Sequence, residues 1–242
     1  MRKLISCGFV FVLLLSSARA QDAKPDLDKV LRDWEKTMTG LSTFQCQVER
    51  KSRDRAFGVD EEFKGSAMFA KPAKNGAGNQ ALLRLEKKDN NKVFEQYIFT
   101  AGELYEFVPS AQVVRIHQLP KAGQMMLPQD NLVSFLFGIG AAQAKASYDM
   151  KLEEIPAEDA KHYYSIRIKP KNAQARGEFI DARLVLYRSN NMPAQIWYVQ
   201  PNKNETTWNF TKVNINPPLA PNTFAPDMKG WQVQRVPLLP VK

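Results

Sequence analysis

Residues 27 to 48 read LDKVLRDWEKTMTGLSTFQCQV, and a change of rhythm within them decides the fold. Leu27, Val30, Leu31, Trp34, Met38 and Leu41 recur every three or four positions, the spacing of one apolar stripe on a helix. Asp26 stands where an N-cap belongs, and Gly40 marks the end. From Phe44 the period drops to two. Phe44, Cys46 and Val48 alternate with Gln45, Gln47 and Glu49, the mark of a half-buried strand.

The alternation persists downstream. Phe63, Gly65, Ala67 and Phe69 share one face of the next strand, and residues 81–86, 93–99, 103–108 and 112–118 are further short β segments. Turn signals separate them: Lys71 to Gly76, Asp89-Asn90-Asn91, Ala101-Gly102 and Pro109-Ser110. Strands at this spacing predict an antiparallel meander. Strands resume at 148–155, 161–169, 178–188, 194–200 and 205–213, with Asn190-Asn191 as the clearest hairpin turn. Between the two runs, residues 119–146 carry Met125-Met126-Leu127 between Pro120 and Pro128. A short apolar helix from Leu132 to Ile139, a Gly138/Gly140 break and a second helical piece follow. The tail from Pro217 to Pro240 is proline-rich and extended, with Phe224 and Trp231 as anchors. About eleven strands and two helical elements fit one domain.

The start of the chain predicts export. Met1-Arg2-Lys3 is a basic n-region, Leu4 to Leu15 an apolar run, and Ala18-Arg19-Ala20 a small-x-small cleavage pattern. Cleavage after Ala20 leaves 21–242 as the mature chain. Removing Arg2, Lys3 and Arg19 lowers the net charge from +9 to +6. Leu4-Ile5-Ser6-Cys7 resembles a lipoprotein box but lies ahead of most of the apolar run, so no lipid anchor is expected. The remaining basic residues are scattered, without the stripe or aromatic-basic motif of a nucleic-acid binder. With Cys7 removed, Cys46 stands alone and reads as a small buried hydrophobe; stability must come from a packed core.

Chemistry is sparse. His117 and His162 lie in no metal-ligand spacing, and no G-x-S-x-G elbow exists. Gly138-Ile139-Gly140 lacks the third glycine of a phosphate cradle. Glu61-Glu62 and Glu153-Glu154 are adjacent, so on a strand each pair splits between faces, although carboxylates of distant strands can still meet. No metal or cofactor is called for. What remains is apolar surplus around Met125 to Ile139, where methionine suits a pocket that accepts flexible chains. A helix simply packed on a sheet explains the same composition.

The order of elements resembles the LolA/LolB/LppX-like superfamily. Leu41-Ser42-Thr43-Phe44 is similar to the family's leucine-x-threonine-aromatic start after the first helix. Gly65-Ser66-Ala67-Met68-Phe69-Ala70-Lys71-Pro72 is similar to its glycine-led strand ending in a basic residue and proline. Ala101 to Phe107 resembles a family hairpin, Leu132 to Gly140 falls where its lid helices lie, and Trp208 to Asn214 with Phe224-Ala225-Pro226 resembles the closing strand and its end. The resemblance spans about 27–231. Lys71 stands where the carriers have arginine, and lysine lacks the planar guanidinium fork, which marks a divergent branch.

The resemblance implies an α+β fold, mainly antiparallel β: a curved, open half-barrel whose concave face is covered by the N-terminal helix and short lid helices. It implies a periplasmic or secreted carrier, monomeric, with a lipid or acylated protein as ligand and an envelope membrane protein as possible donor or acceptor. The candidate lining is Trp34, Met38, Tyr105, Phe107, Met125, Met126, Leu132, Phe135, Leu136, Ile139, Trp208 and Phe210, with Lys71 as a polar contact at the rim. Strand faces cannot be assigned from alternation alone. The alternative is an interaction or lipoprotein-sensing module whose groove its own side chains fill; an enzyme comes last.

Overall fold

The computed structural model describes residues 26–71, 78–100, 102–118, 141–172, 176–177 and 179–236. Helix α1 spans Leu27–Gly40. The Asp26 carboxylate caps it, accepting from the Asp28 and Lys29 amides at 3.2 and 3.3 Å. Val30, Leu31 and Trp34 are its buried residues, as the stripe requires.

Six strands follow: β1 (Thr43–Asp54), β2 (Val59–Ala70), β3 (Gln80–Lys87), β4 (Asn90–Thr100), β5 (Glu103–Val108) and β6 (Val113–Gln118). Helix α2 (Ala141–Ser147) leads into β7 (Tyr148–Leu152), and the single turn α3 (Ala157–Ala160) into β8 (Tyr163–Pro170). Then come β9 (Asp181–Tyr187), β10 (Pro193–Val199), β11 (Glu205–Ile215) and β12 (Gln232–Val236). All twelve form one sheet, in the order β12-β6-β5-β4-β3-β2-β1-β11-β10-β9-β8-β7. Two antiparallel meanders are joined where β1 pairs with β11, and the sheet stays open because β12 and β7 do not meet.

The twelfth strand corrects the reading of the tail. Gln232–Val236 joins the sheet rather than lying outside the compact part: β12 pairs in parallel with β6, Gln232 opposite Val113 and Val236 opposite His117. Gln232 to Val236 has no apolar alternation, so only its long-range partner makes it a strand.

Register defines the faces, since directly paired residues share a side. Phe69, Ala81, Phe99, Leu104 and His117 stand in line across β2 to β6, on the side that faces α1. We call this side the inner face. Its core joins Leu31 and Trp34 to Phe44, Cys46, Val48, Phe63, Phe69, Leu184, Ile196, Trp208 and Phe210. A second, smaller core lies on the opposite, outer face of β4 to β6. There Ile98, Phe107, Val114 and Ile116 pack under Phe224, with Met228 and Trp231 beside it. Trp231 sets its ring edge-on to Phe107 at 5.2 Å and to Phe94 at 6.2 Å. The segment after β11 therefore runs back across the outer face as a strap, ending in β12.

One glycine is required by packing. A Cβ at Gly65 would stand 1.8 Å from the Arg84 carbonyl oxygen, so β2 and β3 meet there only because position 65 has no side chain. Bulges between Gln45 and Gln47 in β1, and between Pro193 and Gln195 in β10, bend the sheet.

Candidate functional site

The inner face is where the sequence points. Of its candidates, Trp34 and Trp208 are fully buried, Phe210 is 4% exposed, and Met38 is half-buried against them; all four belong to the core that holds α1. Phe107 and Tyr105 do not join them. Both sit in the outer-face core under the C-terminal strap, because Tyr105 pairs with Ile98 and Phe107 with Gln96, one residue out of phase with Leu104 and Phe99. Burial and the Glu103 carboxylate, 2.6 Å from the hydroxyl, push Tyr105 up to about 12. Met125, Met126, Leu132, Phe135, Leu136 and Ile139 lie outside the described residues. Lys71 is exposed, and its ammonium bonds the Thr39 carbonyl at the end of α1, while its amide donates to the Ser42 carbonyl at 2.8 Å.

One α-helix of 14 residues covers little of such a sheet. It is about 20 Å long and 10 Å wide, whereas twelve strands side by side span some 50 Å before curvature. Apolar side chains continue along the inner face past it: Phe99 of β4 and Leu104 of β5 are each 3% exposed and so already covered. Cys46 is in the floor of this face, and burial pushes its thiol up to about 12, far from a reactive thiolate.

Toward the β1–β2 turn the inner face becomes polar. Arg50 extends the line of Phe44, Cys46 and Val48, and lies over the rings of Phe63 at 4.6 Å and Trp208 at 5.5 Å. Glu95 of β4 grips both of its terminal nitrogens, at 2.6 and 2.8 Å. Beside this pair opens a depression of about 440 Å³, with Tyr198 and Thr206 along one wall and Phe57 and Val59 at the mouth. Phe57 is 83% exposed, Val59 50%. The turn that holds them is braced. Asp54 accepts from the Ala56 and Phe57 amides and from the Asn204 side chain; these bonds, the Phe57 one foremost, outweigh burial and hold its carboxyl below the usual range. Arg55 bonds Glu205 across to β11.

On the outer face the structure assembles a network that spacing did not reveal. Glu153 and Asp181 converge on Arg167, Arg183 donates to Glu153 at 2.8 Å, and the Ser165 hydroxyl reaches the same carboxylate at 3.1 Å. Trp197 lies under both guanidinium groups, at 5.1 and 5.7 Å. The partners are 12 to 30 residues apart, so only strand order could have found them. His117 bonds Glu106 at 2.9 Å. Among the described residues no group of three or more His, Cys, Asp or Glu could hold a metal ion. None of their helices is long and apolar enough to cross a membrane.

Fold and site together define an open, mainly antiparallel half-barrel with an apolar inner face partly covered by an N-terminal helix. No protein-family model and no curated protein matches the chain. A conserved protein from Thermus thermophilus is similar to it in structure, with TM-score 0.51 and 13% identity over 86% of this chain and 98% of that one. That likeness is one of fold. Structural neighbours also include the Pseudomonas aeruginosa MucA/MucB complex, at TM-score 0.45 and 14% identity over 86% of this chain and 63% of the matched one. A LolA superfamily protein, NE2245 from Nitrosomonas europaea, aligns at TM-score 0.36 and 9% identity, over 82% of this chain and 97% of that one.

Proposed function

We propose that this protein is an exported binding protein for a lipid or an acylated protein, whose acyl chain lies along the inner face. The observation that carries the reading is the extent of that face. Buried apolar side chains run from Ile166 and Ile168 in β8 to Leu104 in β5, so an acyl chain would bind by displacing part of what already covers them. Removing a hydrocarbon chain from water is worth about 0.8 kcal/mol per CH₂, so one chain suffices for reversible capture. The depression at Arg50 gives an open end, where a polar head group can stay hydrated while the chain lies inward. The signal-like start and the order of LolA-like sequence motifs support the same reading.

A second reading has its own support. Trp34 and Trp208 fill the space between α1 and the sheet, as in an interaction or sensing module plugged by its own side chains.

Titration with a fluorescent fatty-acid analogue separates the two. A binding protein shows saturable uptake, competed by unlabelled fatty acid and weakened by Val59→Glu, at the half-exposed mouth. No uptake by a folded protein contradicts the first reading and leaves the second.

A further inference from the structure

The outer face of β8 to β11 carries a groove. Two adjoining depressions, of about 490 and 430 Å³, share Ile155, Tyr163 and Ser165. In the larger, the half-buried rings of Tyr163 and Tyr187 stand side by side, centroids 5.5 Å apart. Around them are planar polar side chains already locked by one neighbour each. Gln195 donates to Asn209 at 2.8 Å, Arg183 to Glu153 at 2.8 Å, and Ser165, 3% exposed, braces Glu153 from below.

We propose that this groove binds a saccharide. A sugar ring has an apolar C–H face and a rim of hydroxyls that each donate and accept. It fits where aromatic rings adjoin amide, carboxylate and guanidinium groups that retain spare hydrogen-bonding capacity: the Gln195 carbonyl, the Asn209 amide nitrogen and the terminal nitrogens of Arg183. Because their partners hold these groups in place, little rotamer freedom is lost on binding.

The location argues against a peptide that adds a strand, because that mode needs hydrogen bonds to a free strand edge. Strands β8 to β11 are each paired on both sides, so none of them offers a free edge for strand addition. A hydrocarbon chain would have to lie against Arg183, Gln195 and Asn209.

The test is binding of the purified chain to immobilised maltose, cellulose and N-acetylglucosamine oligosaccharides, followed by calorimetry with the soluble tetramers. Saturable binding of at least one series is expected, weakened roughly three- to tenfold by Tyr163→Ala, as loss of one aromatic platform implies. Gln195→Ala, which removes a half-buried polar group without touching either core, is expected to weaken it as well. Circular dichroism confirms that each variant is folded. No saturable binding to any series, binding indifferent to both variants, or binding confined to a random peptide library would overturn the proposal.

Discussion

Arg50 and Glu95 meet by two hydrogen bonds, 2.6 and 2.8 Å, although they are 45 residues apart and strands β2 and β3 lie between β1 and β4. The pair borders the apolar part of the inner face, with the guanidinium stacked on Phe63 and Trp208 and its side chain 15% exposed. It bridges strands that are not neighbours, so it reports on the curvature of the sheet.

Arg50→Ala leaves the Glu95 carboxylate part-buried without its partner and strips two rings of their cation. A loss of about 1.5–3 kcal/mol is expected in urea unfolding. Arg50→Lys recovers only part of it, because an ammonium cannot engage both oxygens in the same plane. An unchanged midpoint for Arg50→Ala would show that the pair does not hold β1 to β4.

Gly65→Ala drives a methyl group into the Arg84 carbonyl, a backbone atom that cannot rotate away. Destabilisation by more than about 2 kcal/mol is expected. Gly40→Ala, at the end of α1 with nothing within 4 Å of the new carbon, is the matched control and leaves the thermal midpoint nearly unchanged.

Alkaline pH acts through Cys46. Its thiol is pushed up to about 12 by burial, from an ordinary 9.0. Below pH 9 folded and unfolded chains both keep the proton. Above it the unfolded chain releases the proton while the folded chain holds it, so stability falls as pH rises toward 12, by at most about 1.4 kcal/mol per unit. Cys46→Ala removes this component of the slope, and a thiol reagent at pH 8 labels the native protein only as it unfolds. Equal slopes in the two proteins, or rapid native labelling, would place the thiol in water.

The strap is expected to be structural. Trp231→Ala removes the edge-on contacts to Phe94 and Phe107 and costs about 2 kcal/mol. It also raises binding of a hydrophobic dye, since Ile98, Phe107, Val114 and Ile116 lie directly below. Unaltered stability and dye binding would mean that the tail merely rests on the sheet.

How much of this the sequence disclosed follows from the range of each interaction. Helix α1 and the first eleven strands are local: Asp26 caps, Gly40 ends, and Phe44-x-Cys46-x-Val48 alternates within a few residues. The face to which a strand turns its apolar side depends on register with distant neighbours. Tyr105 and Phe107 therefore read as companions of Trp208 and Phe210, although they belong to the other core. Strand β12 was illegible because Gln232 to Val236 carries a single valine on each face and exists through β6, more than a hundred residues earlier. The groups around Glu153 and Arg183 come from β8, β9, β10 and the residue that follows β7, and the sequence carries no spacing that unites them.

Native mass spectrometry of the chain, purified from a host that exports it and sprayed without detergent, tests the binding function most directly. A population heavier than the bare polypeptide by the mass of one lipid, released into organic solvent and absent after delipidation, is the predicted result. A single species at the polypeptide mass, unchanged after incubation with lipid vesicles or an acylated peptide, would contradict it.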